Sequence, residues 1–245
     1  MSEIESIKSL MAESGLSAQL RNTQKSDWDS VITSCSDVPT HYLWHLVSYQ
    51  SVVFKQNDPQ TLEISMVLYN DYKPCGVWPL YVDMGASNFQ VKSINDQFGG
   101  IVLPPLFITG LPKKTERRLI KASITFIRKL VAWRSGEAWR LSELSGCTSV
   151  SQWYQCALEE GGELERLNYE LYVDLRLGLE EIRRSLRKSY KPLISSGLKN
   201  WNVNVLNSSS DTTWSKFRTL HREVSGRVTR PDESWDIQHK AIERG

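Results

Sequence analysis

Two strand-forming runs joined by a short polar turn constrain the fold of this 245-residue chain more than any other feature. Residues 62–69 and 75–82 are rich in apolar and β-branched side chains, which favour strands. The sequence between them, Asn70-Asp71-Tyr72-Lys73-Pro74, is typical of a turn. Strands joined by so short a connection pair antiparallel. The sequence therefore predicts an antiparallel hairpin.

Helical periodicity surrounds this hairpin. Apolar residues recur at three- and four-residue steps over 40–55 and 113–134, and Ser26-Asp27 looks like a helix start. Residues 97–107 are too rich in proline for a central strand. From residue 26 to 175 the predicted order is helix, helix, three strands, helix, strand, helix, strand. This order predicts an α/β fold with a mixed, partly antiparallel sheet.

The same order begins again near residue 201, with a predicted strand and two helices. Trp28 and Trp214 are each followed by an apolar residue three positions later, Val31 and Phe217, which fits a tandem repeat. We expect the second copy to continue beyond Gly245, so that this chain is an amino-terminal fragment. The expected divisions are an irregular segment at 1–25, a first unit at 26–175, a basic helical connector at 176–200 and the start of a second unit at 201–245.

Composition excludes several classes of protein. The formal net charge of +2 is too small for general nucleic-acid binding. The four cysteines are widely spaced, without a C-x-x-C pair, so neither a structural zinc site nor a disulfide framework is indicated. No apolar run approaches the roughly 20 residues of a membrane span, and the acidic amino terminus lacks the features of a signal peptide. We expect a cytoplasmic protein without a membrane span.

Positive charge is concentrated in one segment. Residues 176–199 contain seven Lys or Arg and two acids, Glu180 and Glu181, a local net charge of +5. Such concentration on a nearly neutral chain favours binding of an anionic ligand. A solvated helix face at a domain junction is the alternative. A break in the helix is expected near Pro192.

A second segment, 220–238, combines an imidazole, three guanidinium groups, an indole and an amide. Arginine pairs well with carboxylate and phosphate, and histidine is a common general base. An ordinary helix–turn–helix corner with solvated side chains is the alternative. His41 and His45 stand four residues apart, but without a third ligand they favour a helix surface over zinc. DNA binding by the predicted helix pair is disfavoured by the low net charge.

Two stretches resemble Fem-type proteins, the aminoacyltransferases of peptidoglycan interpeptide bridges and their relatives in the GNAT acyltransferase superfamily. The first resembles the start of their second domain and comprises Tyr172-Val173-Asp174-Leu175, residues 186–199 and Val203-x-Val205. The second resembles a Fem-like subgroup associated with surface-polysaccharide loci and comprises His221-x4-Gly226-Arg227-x-Thr229-Arg230-Pro231-x2-Ser234-Trp235-x2-Gln238. The resemblance is specific over about 170–240; upstream it depends on element order.

The resemblance implies two GNAT-like units in tandem and a function in cell-wall or surface-polysaccharide biosynthesis. It implies transfer of an acyl or aminoacyl group to an amino group of a cell-envelope sugar or its nucleotide-linked precursor. The donor would be acyl-CoA or aminoacyl-tRNA, so tRNA would be a carrier partner, and no tightly bound cofactor is implied. We expect the activity to need sequence beyond Gly245. A non-catalytic binding domain for an anionic glycan or nucleotide-sugar is the alternative.

The resemblance also bears on the binding residues. Fem-type enzymes usually have arginine three residues before the helix isoleucine, where it contacts the acceptor diphosphate. Here Lys191 stands three residues before Ile194. Lysine neutralises phosphate but lacks the bidentate fork of arginine. No catalytic base is implied. The residues expected to bind substrate are Arg187, Lys188, Lys191, Arg227, Arg230, His221, Trp235 and Gln238.

Overall fold

The computed structural model describes residues 2–85, 89–96, 99–134, 139–143, 150–165, 173–202 and 211–244. Within these ranges the fold is mixed α/β with antiparallel sheets, which confirms the predicted fold class at this level. The helices are α1 (Glu3–Glu13), α2 (Lys25–Thr33), α3 (Trp44–Asn57), α4 (Lys113–Trp133), α5 (Gln152–Glu159), α6 (Leu179–Ser185), α7 (Tyr190–Asn200), α8 (Asp211–Ser225) and α9 (Asp232–Arg244). The strands are β1 (Ala18–Leu20), β2 (Thr61–Glu63), β3 (Met66–Asn70), β4 (Lys73–Trp78), β5 (Tyr81–Asp83), β6 (Gln90–Lys92), β7 (Ile94–Asp96), β8 (Gly99–Ile101) and β9 (Leu106–Phe107).

The predicted hairpin is confirmed. Strands β3 and β4 pair antiparallel, and a two-residue turn joins them. Asp71 and Tyr72 in this turn have positive φ angles of 48° and 62°, the backbone of a type I′ turn, whose twist matches that of the strands. The arms continue as the antiparallel pair β2–β5. The strand in each hairpin arm is interrupted once, at residues 64–65 in the first arm and at residues 79–80 in the second. Pro79 has no N–H for the ladder, and the Ser65 hydroxyl accepts from the Leu80 N–H instead.

The four-stranded sheet, in the order β1-β3-β4-β9, lies between two helical layers. Met66 and Leu68 face one core with α1, α4 and α5. Val67 and Tyr69 face a second core with α2 and α3. Burial on both faces explains why this strand is a continuous apolar run and not an alternating one. The predicted helix at 113–134 is confirmed as α4, whose apolar face is buried in the first core.

The amino-terminal prediction needs correction. Residues 1–25 were expected to be irregular apart from a short helix at Ile4–Glu13. That helix is confirmed as α1, which packs against α4, but the segment also contains β1, an edge strand of the main sheet. Ile7 and Met11 of α1 are buried because they lie on the helix face that meets the first core. The segment is therefore part of the first unit. Helix α2 begins at Lys25, one residue before the predicted start, without a side-chain cap.

The proline-rich residues 97–107 were expected not to form a central strand, and β9 pairs only at the edge of the sheet, where proline is tolerated. A strand was predicted over 138–144. Within its described residues, 139–143, Leu141 forms only an isolated parallel bridge with Val102. The strands predicted at 167–175 and 201–206 fall mostly outside the described residues, and their described ends, 173–175 and 201–202, are not in strands. All strand pairs among the described residues are therefore antiparallel, and the bridge between Val102 and Leu141 is the only parallel pairing described.

The carboxyl-terminal elements are helical where they are described. The break between α6 and α7 lies at 186–189, not at Pro192. Pro192 is the third residue of α7, in the first turn, where a missing N–H removes no helical hydrogen bond. Helix α9 packs against α3, so the second predicted unit touches the first. Among the described residues, no helix has the length and apolar character that crossing a membrane requires.

Candidate anion-binding site

A helix–turn–helix corner between α8 and α9 forms the candidate site. Helix α8 ends at Ser225, and Gly226 follows with φ +63°, a left-handed conformation that glycine adopts readily. Pro231 precedes α9, and its carbonyl accepts hydrogen bonds from the Ser234 N–H at 3.0 Å and hydroxyl at 2.7 Å. These local signals turn the chain sharply and place residues 227–230 beside both helices.

Trp235 is the structural centre of the corner. It lies in the first turn of α9 and is only 5% exposed. Three rings of α8 meet it edge to face, with centroid distances of 5.6 Å for Trp214, 5.8 Å for Phe217 and 5.0 Å for His221. Such contacts fix the helix pair and the ring orientation. His221 is therefore held in the corner by Trp235 and is not fully solvated.

Arg230 is stacked on this indole. Its Cζ atom lies 3.6 Å from the Trp235 ring centroid, a close cation–π contact. Its Nη1 atom donates to the Tyr49 hydroxyl at 3.1 Å and to the Gln238 Oε1 atom at 3.0 Å. Its Nε atom is buried and has no hydrogen-bond partner among the described residues. The guanidinium is therefore fixed in place while one donor remains unsatisfied.

A small open pocket lies over this arrangement. Its lining residues are Arg218, His221, Arg222, Arg227, Val228, Thr229, Arg230 and Trp235. No acidic residue lines it within the described part of the chain. Arg218 is neutralised, because its guanidinium lies 2.7 Å from Asp232 and 3.7 Å from Asp236. Arg222, Arg227 and Arg230 form no ion pair with a described residue, so the pocket carries excess positive charge.

Five of the eight predicted binding residues come together here. His221, Arg227, Arg230 and Trp235 line the pocket, and Gln238 holds Arg230. The other three, Arg187, Lys188 and Lys191, are not among the lining residues. They lie at the α6–α7 turn and in the first turn of α7, two helices in which no residue is buried. The pocket is therefore lined by residues of the second basic segment and not by those of the first.

Three contributors were not among the predicted binding residues, although Arg222 is one of the three guanidinium groups counted in 220–238. Arg218 and Arg222 lie three residues before and one residue after His221 on α8. The three-residue spacing and the four-residue step from Arg218 to Arg222 place these side chains on one helix side, a signal that was present in the sequence. Tyr49 of α3 is 181 positions from Arg230, and no local pattern indicates that contact.

The two histidines at 41 and 45 lie elsewhere. His41 belongs to a single 3₁₀ turn, Thr40–Tyr42, and His45 is the second residue of α3, so the two are not on one continuous helix. Burial lowers the pKa of His45, and the nearby charge of Arg244 lowers it further. Over the described residues, no cluster of three or more His, Cys, Asp or Glu side chains is arranged to hold a metal ion.

Comparison of the chain with family models, with curated proteins and with solved structures gave no match.

Proposed function

We propose that the α8–α9 corner binds an anionic group, a phosphate or a carboxylate, on the acceptor substrate of this protein. One observation carries the proposal: three arginines without carboxylate partners and a histidine line one pocket that contains no acid among its described residues. An anion is the ligand that compensates this charge. Guanidinium groups suit phosphate and carboxylate because their planar forks donate two parallel hydrogen bonds.

Preorganisation strengthens the proposal. The contacts of Arg230 with Trp235, Tyr49 and Gln238 fix its guanidinium before a ligand arrives. A fixed donor loses little conformational entropy on binding, so a larger part of the free energy of each hydrogen bond contributes to affinity. Arg222 and Arg227 also line the pocket and are exposed, so their side chains keep rotamer freedom with which to adjust to a ligand. The corner thus combines one rigid cation with two adaptable ones.

Titration calorimetry tests this site with a UDP-linked amino sugar as the probe. Arg227→Ala should weaken binding about tenfold to a hundredfold, because a hydrogen-bonded contact to a charged group contributes about 1.5–3 kcal/mol. Arg128→Ala is the control, since Arg128 lies on α4 and forms a surface ion pair with Glu160. Equal affinities for the wild type and Arg227→Ala would remove Arg227 from the site. Absence of binding by folded wild type would refute the nucleotide-sugar acceptor.

Acyl or aminoacyl transfer is the activity that we propose for this acceptor site, on two tandem GNAT-like units. The observation that favours it is the antiparallel hairpin preceded by α2 and α3 and followed by α4, the element order expected for the first unit. In the reaction, the amine nitrogen of the sugar attacks the donor carbonyl carbon. A C–N bond forms, and the bond to the CoA sulfur or the tRNA ribose oxygen breaks. The proton lost by the amine ends on that leaving group.

An enzymatic assay separates transfer from binding alone. The full-length protein is incubated with acetyl-CoA and the UDP-linked amino sugar, or with aminoacyl-tRNA and the same acceptor, and release of thiol or deacylated tRNA is measured. Product formation that falls in Arg227→Ala supports transfer through the proposed site. Acceptor binding without turnover of either donor would favour the glycan- or nucleotide-sugar-binding domain instead.

A further inference from the structure

Helix α7 carries an apolar stripe that the fold leaves exposed. Apolar positions recur at three- and four-residue steps, so they share one face of the helix. They are Tyr190, Leu193, Ile194, Leu198 and, directly after the helix, Trp201. Their exposed fractions run from 38% for Ile194 to 75% for Trp201. The Trp201 ring lies along this face, because it is 3.5 Å from the point where a side chain on Gly197 would begin. An apolar stripe of this length in water indicates a binding surface.

The chain segment that carries the stripe is basic. Between residues 182 and 202 there is no acid, and the six cations are Arg183, Arg184, Arg187, Lys188, Lys191 and Lys199. Lys188 and Lys191 form no ion pair with any described residue. The partner that covers the stripe must therefore accept apolar side chains and also present negative charge around them.

These requirements discriminate between partners. A second copy of this chain in a two-fold dimer would place the same patch on both sides, bringing the unpaired cations together. A nucleic acid offers phosphates and stacking bases but no apolar layer for Leu193 and Leu198. An anionic bilayer offers both the charge and the apolar layer. The two aromatic residues near the ends of the stripe, Tyr190 and Trp201, are of the types enriched at membrane–water interfaces.

We propose that α7 is an interfacial helix that lies in the surface of an anionic lipid bilayer, with the Leu193–Leu198 face inserted and the cations toward the headgroups. At 11 residues the helix is about 16 Å long, too short to span and suited to lie in the plane. This surface shares no residue with the lining of the α8–α9 pocket and does not depend on the function proposed for that pocket. The proposal assigns Lys188 and Lys191 to lipid headgroups.

Vesicle flotation with the full chain tests the proposal. Vesicles of phosphatidylcholine alone are compared with vesicles that also contain phosphatidylglycerol, at low and high salt. The wild type should float with the anionic vesicles and not with the neutral ones, and added salt should release it. Leu193→Ser/Leu198→Ser should abolish flotation. Lys188→Gln/Lys191→Gln should weaken partitioning about 25-fold, because each cation near an anionic surface contributes about fivefold.

The matched control is Leu158→Ser/Leu164→Ser, which removes two exposed leucines outside the segment. It should float like the wild type. Circular dichroism should show unchanged folding for all variants, because every altered side chain except the half-buried Lys191 is exposed. Equal flotation of Leu193→Ser/Leu198→Ser and of the control Leu158→Ser/Leu164→Ser would overturn the proposal. So would failure of folded wild type to float with anionic vesicles, or a dimer in solution that the Leu193→Ser/Leu198→Ser change dissociates.

Discussion

The buried guanidinium of Arg21 should be strongly stabilising, because it connects three elements of the first unit. Arg21 is 6% exposed, and its Nε atom donates to Glu63 at 2.5 Å while its Nη2 atom donates to the same carboxylate at 3.2 Å. It also donates to the Trp44 carbonyl and the Ser48 hydroxyl, and its Cζ atom lies 4.1 Å from the Trp44 ring centroid. One side chain thus joins the end of β1, strand β2 and helix α3.

Arg21→Met should lower the free energy of unfolding by about 3–5 kcal/mol, because it leaves a carboxylate with 19% side-chain exposure without its cation. The double variant Arg21→Met/Glu63→Leu should recover at least about 2 kcal/mol of that loss, since apolar replacements remove both charges together. Lys8→Met is the control, because Lys8 is 53% exposed and pairs only with Glu5, and it should cost under about 1 kcal/mol.

Urea unfolding followed by tryptophan fluorescence and circular dichroism measures these changes. A loss below about 1 kcal/mol in Arg21→Met would show that water replaces the guanidinium, contrary to its burial. Additive losses in the double variant would show that Arg21 and Glu63 are not coupled. Either result would refute the argument for a buried ion pair.

Three further predictions concern buried or half-buried groups. Lys92→Met should cost about 3–5 kcal/mol in urea unfolding, because Lys92 is 5% exposed and pairs with Asp83, itself 8% exposed; a loss below 1 kcal/mol would contradict this burial. Burial raises the pKa of Cys75 to about 11, which lowers the fraction of reactive thiolate. At pH 8 the Cys75 thiol should therefore react with a disulfide reagent at least about a hundredfold more slowly in the native state than in urea. Comparison with Cys75→Ser identifies the reaction of this thiol. The lowered pKa of His45 means that the folded state holds fewer protons than the unfolded state, so stability should be lost as pH falls below about 6.5. Thermal unfolding at pH 5 and 7.5 should show less of this loss in His45→Gln, and an equal loss in both proteins would exclude His45 as its source.

The fold elements predicted correctly are those that local sequence determines. The β3–β4 hairpin follows from two apolar runs and a turn, and α4 from an unbroken periodicity over its 21 residues. The sheet position of β1 was not predictable, because three residues pair with β3 almost fifty positions away and carry no strong pattern. The α6–α7 break was misplaced because Pro192 is compatible with the first turn of a helix as well as with a break.

In the candidate site, too, the sequence predicted the contacts between residues that are close along the chain and not those between distant residues. His221, Arg227, Arg230 and Trp235 were found because they lie within fifteen positions, where one turn brings them together. Arg187, Lys188 and Lys191 were grouped with them on the charge of their segment and on the Fem-type spacing of Lys191 to Ile194, and neither signal gives distance in space. The contact of Arg230 with Tyr49 depends on α9 packing against α3, which is set by tertiary structure.

The most direct test of the proposed anion site compares two double variants in titration with pyrophosphate at low salt. Arg222→Ala/Arg227→Ala removes two cations from the pocket, and Arg187→Ala/Lys191→Ala removes two from the α6–α7 segment. The pocket variant should lose at least about a hundredfold in affinity, and the segment variant less than about threefold. Equal losses in the two variants, or a larger loss in the segment variant, would contradict the assignment of the anion to the α8–α9 corner.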